Sequence, residues 1–156
     1  MRDASYWIDT LELIPYPQGG YYREIYRSPD ILTPDGLPER YGGARSASTH
    51  IYFMLRGAER EPFHRLKSDE LWHFYTGSAL VLHIIDANGD YAVVTLGPAA
   101  DSGQQFYTVV RAGCWFGAEL ANPDDPAAYA LVGCTVAPGF EYEDVEWGTQ
   151  DHLLSA

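Results

Sequence analysis

Cysteine, basic side chains and long apolar runs are what this sequence has least of, and each scarcity removes a class of function. Its two cysteines, Cys114 and Cys134, stand in apolar stretches, with neither the spacing of a disulfide framework nor a C-x-x-C metal motif. They read as buried free thiols. A disulfide stays open should their strands pair, and Cys114, beside Trp115, is a nucleophile only if a base approaches it. Ten Lys and Arg against 22 Asp and Glu leave a formal charge of -12, which repels phosphate backbones and anionic membrane surfaces. Nucleic-acid and membrane partners are therefore not expected. The opening MRDASYWIDT has acidic residues and no continuous apolar run, so no signal peptide or spanning helix is predicted and a cytoplasmic location is expected. There is no internal repeat, low-complexity tract or linker, and 156 residues suit a single domain over 1–156 with its core from 11 to 146.

What the chain does have is a succession of short strand patterns broken by Gly, Pro and Asn. Trp7, Leu11 and Ile14 fall at helical spacing after Asp3, and Pro15 follows them, which predicts one short helix. Tyr21 to Ser28, Ser46 to Leu55, Ala79 to Asp86, Tyr91 to Leu96, Gln105 to Val110, Cys114 to Leu120 and Ala128 to Val136 read as strands, with Asn88-Gly89 as a hairpin turn. Pro29 to Gly43 reads as a long loop and candidate gate. With a strand on each side of the polar turn Lys67-Ser68-Asp69, eight or nine strands and little helix predict an all-β sandwich or barrel.

Chemistry concentrates in RGAEREPFHRLKSDELWHFYTG, Arg56 to Gly77, where an imidazole, carboxylates and aromatics lie between two glycines. Strand alternation from Glu70 puts Glu70, Trp72 and Phe74 on one face and Leu71, His73 and Tyr75 on the other. Gly57, His64, Glu70 and Gly77 follow the first motif of the cupin superfamily, with one extra residue before His64 and Leu66 where the second histidine belongs. Gly103 and Gly113 follow the second motif, with Arg111 in place of its proline and Phe116 in place of its last histidine. The stretches LELIPYPQGGYYREIYRS, FHRLKSDELWHFYTG, AGCWFGAEL and YALVGCTVAPGFEYED resemble one branch, the domain-of-unknown-function 985 (cupin 5) family, from Leu11 to Asp144. The resemblance implies a cupin double-stranded β-helix, a jelly-roll barrel with a short N-terminal helix, and no settled reaction.

Cupin metal sites combine imidazoles with one carboxylate, which suit divalent transition metals. Here the resemblance retains His64 and Glu70 as candidate metal ligands, an incomplete set. No cofactor is expected beyond a weakly bound divalent metal. Freed from a metal, His64 and Glu70 form a candidate proton-transfer pair, with the carboxylate raising the histidine's pKa and burial opposing it. In metal-free sugar-epimerase cupins a tyrosine returns the proton, a role for which Tyr52 and Tyr142 are the candidates. Arg23, Phe53, Trp72, Phe74, Cys114, Trp115, Phe116 and Glu119 are candidate ligand contacts if the cupin register holds. The expected function is binding of a small sugar-like or aromatic molecule, with isomerase or epimerase chemistry. Two alternatives stay open: a metal-dependent oxygenase or isomerase, and a noncatalytic dimeric binding or sensor protein. A homodimer is expected, since cupins of this size pair through their sheets.

Overall fold

The computed structural model describes residues 2–149. Helix α1 spans Ala4–Thr10 and is capped by Asp3, whose Oδ1 accepts from the Tyr6 amide at 2.9 Å. It stops at Leu11, well short of Pro15, because Glu12 takes a left-handed φ of 52° through which no right-handed helix continues. The strands are β1 (Ile14–Pro15), β2 (Tyr21–Arg27), β3 (Ile31–Leu32), β4 (Arg45–Ser46), β5 (Thr49–Arg56), β6 (Arg60–Arg65), β7 (Asp69–Gly77), β8 (Leu80–Ile85), β9 (Tyr91–Leu96), β10 (Tyr107–Val110), β11 (Trp115–Leu120), β12 (Tyr129–Ala137) and β13 (Glu146–Trp147). They outnumber the expectation because two-residue strands carry no readable period. Thus β3 and β4 pair across the supposed loop, and β13 pairs with β6 from within the acidic tail.

Two antiparallel sheets face each other, one in the order β1-β2-β5-β12-β7-β10 and the other β13-β6-β11-β8-β9, which is the predicted jelly roll. Consecutive strands β5, β6, β7 and β8 alternate between the sheets, so the connections among them cross the sandwich. Apolar residues from the inner faces meet between them, among them Phe53, Trp72, Leu82, Phe116 and Val132. Alternation places Glu70, Trp72 and Phe74 inward on β7, while His73 and Tyr75 point out beside His50 on β5. Outside the six-stranded sheet, Trp7 and Leu11 of the N-terminal segment cover Met54 and Leu131. Cys114 adjoins one sheet and Cys134 belongs to the other, and both are free thiols, which closes the question of a disulfide. Among the described residues no helix is long and apolar enough to cross a membrane.

The apolar filling does not reach both ends of the sandwich. Leu55, Leu80, Leu96, Leu120 and Ala130 close the end where β5 finishes and β12 begins. At the opposite end, where β5 and β7 begin, the inner faces carry Thr49, Ile51 and Glu70 and leave a cavity of about 410 Å³. Strand β2, with Tyr22, Glu24 and Arg27, and the turn at Tyr142–Asp144 form its outer walls. Residues 150–156, the greater part of the C-terminal segment left unplaced by the sequence, lie outside the described residues.

Candidate functional site

Two carboxyls and an imidazole reach into this cavity from the inner strands: Glu61 and His64 from β6 and Glu70 from β7. Residues 61 and 64 would occupy opposite faces of a regular strand. They share one here because β6 is bulged. Phe116 lies opposite His64 but Ala118 opposite Glu61, so Gly117 alone faces both Pro62 and Phe63. The extra residue that displaced His64 in the motif spacing is accommodated in the segment containing this bulge. Gly117 permits the close approach, since a Cβ there would stand 3.0 Å from the Glu61 carbonyl and 3.2 Å from the Phe63 ring. Gly117→Ala is expected to cost about 1–2 kcal/mol through overpacking, measured by urea denaturation. A neutral result would show that the bulge yields freely.

His64 is buried, its ring packed between Phe116 at 4.2 Å and Trp147 at 5.1 Å. Its Nδ1 donates to the Pro62 carbonyl at 2.9 Å, which leaves the Nε2 lone pair toward the cavity, 3.7 Å from Glu61 Oε1. Burial outweighs that backbone bond and holds the imidazole down to about 4, so it is neutral at pH 7. The expected rise from a carboxylate partner does not occur, and the nearest carboxyl is Glu61, not Glu70.

Both carboxyls are themselves pushed up. Burial raises Glu61 well above the usual range, with Glu70 adding to it. Glu70 is raised to about 7 by burial, against the opposing pull of Trp72 and Cys134. The pull from Trp72 is weak in geometry, since its Nε1 makes no proper hydrogen bond; Glu61 Oε2 and Glu70 Oε2 are likewise unpartnered. Across the cavity, burial and the facing carboxyls hold the Tyr16 hydroxyl firmly protonated. Tyr142 is raised by its hydrogen bond to Tyr22. The site thus sets a neutral base beside two carboxyls that hold their protons above the usual carboxylate range, in a small, mostly apolar chamber.

Of the residues selected from sequence, the structure gathers His64, Glu70, Phe53 and Tyr142 around the cavity. Phe116 backs His64, and Trp72 lies beneath, edge-on to Phe53 and Phe116 at 5.9 and 6.2 Å. Phe74 fills the core. Tyr52 packs on Tyr75 outside the sheet at 5.9 Å, because it shares parity with His50. Arg23 is outside too, hydrogen-bonded to the Leu11 carbonyl and paired with Glu12. Trp115 and Glu119 have the opposite parity to Phe116. The former lies under Arg65 at 4.6 Å and the latter binds His83 and Arg60 on the outer face of the five-stranded sheet. Cys114 follows the turn before β11, away from the cavity, with burial raising its thiol. Sequence reasoning missed Glu61, Tyr16 and Tyr22. The extra residue before His64 is the one signal for the first, while the tyrosines stand in LELIPYPQGGYYREIYRS with no local pattern to single them out.

The family model described as Cupin superfamily (DUF985) matches residues 5–148. This chain is a DUF985 cupin. A hypothetical protein from Leishmania major is 35% identical, with 99% of this chain and 92% of that one covered at a TM-score of 0.86. A protein from Shewanella oneidensis is also 35% identical, covering 99% and 90% at a TM-score of 0.84. Oxalate decarboxylase from Bacillus subtilis is 14% identical, covering 85% of this chain and 29% of that one at a TM-score of 0.57, a likeness of fold alone. A comparison with curated proteins finds no match. The divalent metal that the superfamily implies does not fit the residues of this cupin. Leu66 and Phe116 fill two ligand places with apolar side chains, and among the described residues no three His, Cys, Asp or Glu side chains form a metal-binding group.

Proposed function

We propose that this cupin binds a small hydroxyl-bearing molecule in the cavity and moves a proton on it without a tightly held metal. The observation that supports this reading is the neutral His64, its Nε2 lone pair directed into the cavity beside a buried carboxyl. A base with a free lone pair at pH 7 suits abstraction of a proton next to a carbonyl, and a buried acid suits protonation of the oxygen that develops charge. In this reading His64 is the base, Glu61 or Glu70 donates to the oxygen, and Tyr16 or Tyr142 is placed to return the proton from the opposite wall. Walls built from Tyr16, Tyr22 and Phe53, with edge-to-face contacts at 5.2 and 6.3 Å, suit a flat or ring-shaped ligand.

The test is deuterium incorporation from heavy water into a panel of reducing sugars and small carbonyl acids, followed by NMR with chelator-dialysed protein. Incorporation into at least one compound is expected, reduced about 10²–10⁴-fold by His64→Ala. Equal rates in parent and variant would remove His64 from the base role. No incorporation anywhere in the panel would leave a pocket that binds without turnover.

A further inference from the structure

The charges that line the cavity do not balance. Glu24, Glu61, Glu70 and Glu141 contribute four carboxyls, and Arg27 is the single guanidinium among the lining residues. Arg27 is already engaged at the mouth: Nε and Nη2 reach Glu24 at 3.0 and 2.9 Å, Nη1 reaches Glu141 at 3.0 Å, and Nη2 also donates to the Phe140 carbonyl at 3.0 Å. It has little left to offer an anionic ligand. Deeper in, among the described residues, neither Glu61 nor Glu70 pairs with any Lys or Arg; Glu61 has only the Nε2 of His64, 3.7 Å away.

A second observation concerns hydrogen bonding rather than charge. Glu61 is 10% exposed and Glu70 7%, yet Oε2 of each lacks a partner. Buried polar atoms are nearly always satisfied, so two orphan acceptors facing a ligand-sized space call for N–H or O–H donors brought by the occupant. Tyr16, Tyr22, Phe53 and Phe140 add aromatic surface around the same space, which attracts a cation as well as apolar groups.

We propose that the occupant is a small organic ammonium compound, such as an amino alcohol or amino sugar, with its charged nitrogen between Glu61 and Glu70. The inference rests on reading the cavity as the ligand site, as in the proposed function. The ammonium supplies donors to both orphan oxygens, and its charge favours release of the protons that burial holds on Glu61 and Glu70 in the free protein. A carboxylate or phosphate would instead meet four carboxyls with no free guanidinium, so the same geometry disfavours anions.

Isothermal titration of chelator-dialysed protein with two size-matched series tests this. One is 2-aminoethanol, ethylene glycol and glycolate; the other is glucosamine, glucose and glucuronate. In at least one series the amine is expected to bind about tenfold or more tighter than its neutral analogue, with no binding by the acid. Glu61→Gln and Glu70→Gln should each weaken the amine about tenfold while retaining a cooperative thermal transition, and Glu119→Gln, outside the cavity, should leave it unchanged. An acid or neutral member binding as tightly as its amine would overturn the proposal, as would failure of both amines at millimolar concentration. Amine binding without deuterium exchange leaves this inference standing and removes the proton-transfer reading. Exchange in a neutral sugar that binds as tightly as its amine does the reverse.

Discussion

Asp144→Ala is expected to cost about 3–5 kcal/mol of folding stability, the amount typical of removing one member of a buried ion pair. Arg45 and Asp144 are 1% and 4% exposed and meet as two forks, Nε to Oδ2 and Nη2 to Oδ1, both at 2.7 Å. The arginine side chain is completed by its own neighbourhood, with Nη1 on the Ala44 carbonyl at 2.8 Å and the Tyr41 ring 5.5 Å away. Without Asp144 the guanidinium stays buried, with the exposed Glu143 at 2.8 Å as its remaining ion-pair partner among the described residues, and its desolvation is no longer offset. The pair also joins β4 to the turn that carries Tyr142, so its loss should loosen a cavity wall as well as the fold. Urea denaturation of the single variant and of Arg45→Met with Asp144→Leu separates the two contributions. The double variant is expected to recover most of the loss, because a well-packed apolar pair replaces both charges. A loss below about 1 kcal/mol in the single variant would mean that Glu143 takes over the arginine.

The contrast between what the sequence discloses and what it conceals follows from where periodicity stops holding. On β7 alternation is unbroken from Glu70 to Phe74, and there the assignment of Glu70, Trp72 and Phe74 to the inner face matches the structure. The same rule applied to β11 separates Phe116 from Trp115 and Glu119; grouping all three on one pocket wall came from the motif register, which names positions without assigning faces. On β6 the rule itself fails, because the bulge opposite Gly117 puts Glu61 and His64 on one side. The bulge is a two-strand property, set by how β6 pairs with β11, and no window on β6 alone contains it. The outer walls are less legible still. Tyr22 and Arg27 reach the cavity through pairing of β2 with β5, Tyr16 from the turn that leads into β2, and Tyr142 through the Arg45–Asp144 pair, whose members are far apart in the chain. The homology motif therefore pointed to the right end of the sandwich, while the second acid and the tyrosines came from long-range packing.

Glu70→Gln is expected to change the pH dependence of stability by roughly 3 kcal/mol between pH 4 and pH 8. In the folded chain Glu70 keeps its proton up to about 7 against an ordinary value of 4.5. Between those values the folded state binds a proton that the unfolded state has lost, so stability falls as pH rises through that window. At about 1.4 kcal/mol per pH unit the interval gives the quoted magnitude. Glu61 acts in the same direction. His64 acts in the opposite one: its folded value of about 4 lies below the ordinary 6.5, so the unfolded state takes up a proton first and stability falls as pH drops through that range. In the parent, two carboxyls oppose one imidazole and stability should decline from pH 4.5 to beyond 7. In the variant one carboxyl opposes one imidazole, the slopes largely cancel up to pH 6.5, and glutamine stands in for the protonated acid without a charge to desolvate. Urea denaturation of both proteins at pH 4, 5, 6, 7 and 8 gives the difference, which includes the part of the rise at Glu61 that the Glu70 charge contributes. Parallel curves would mean that Glu70 titrates as it does in water, and a carboxyl that ionises at its ordinary value cannot serve as the proton donor in the cavity.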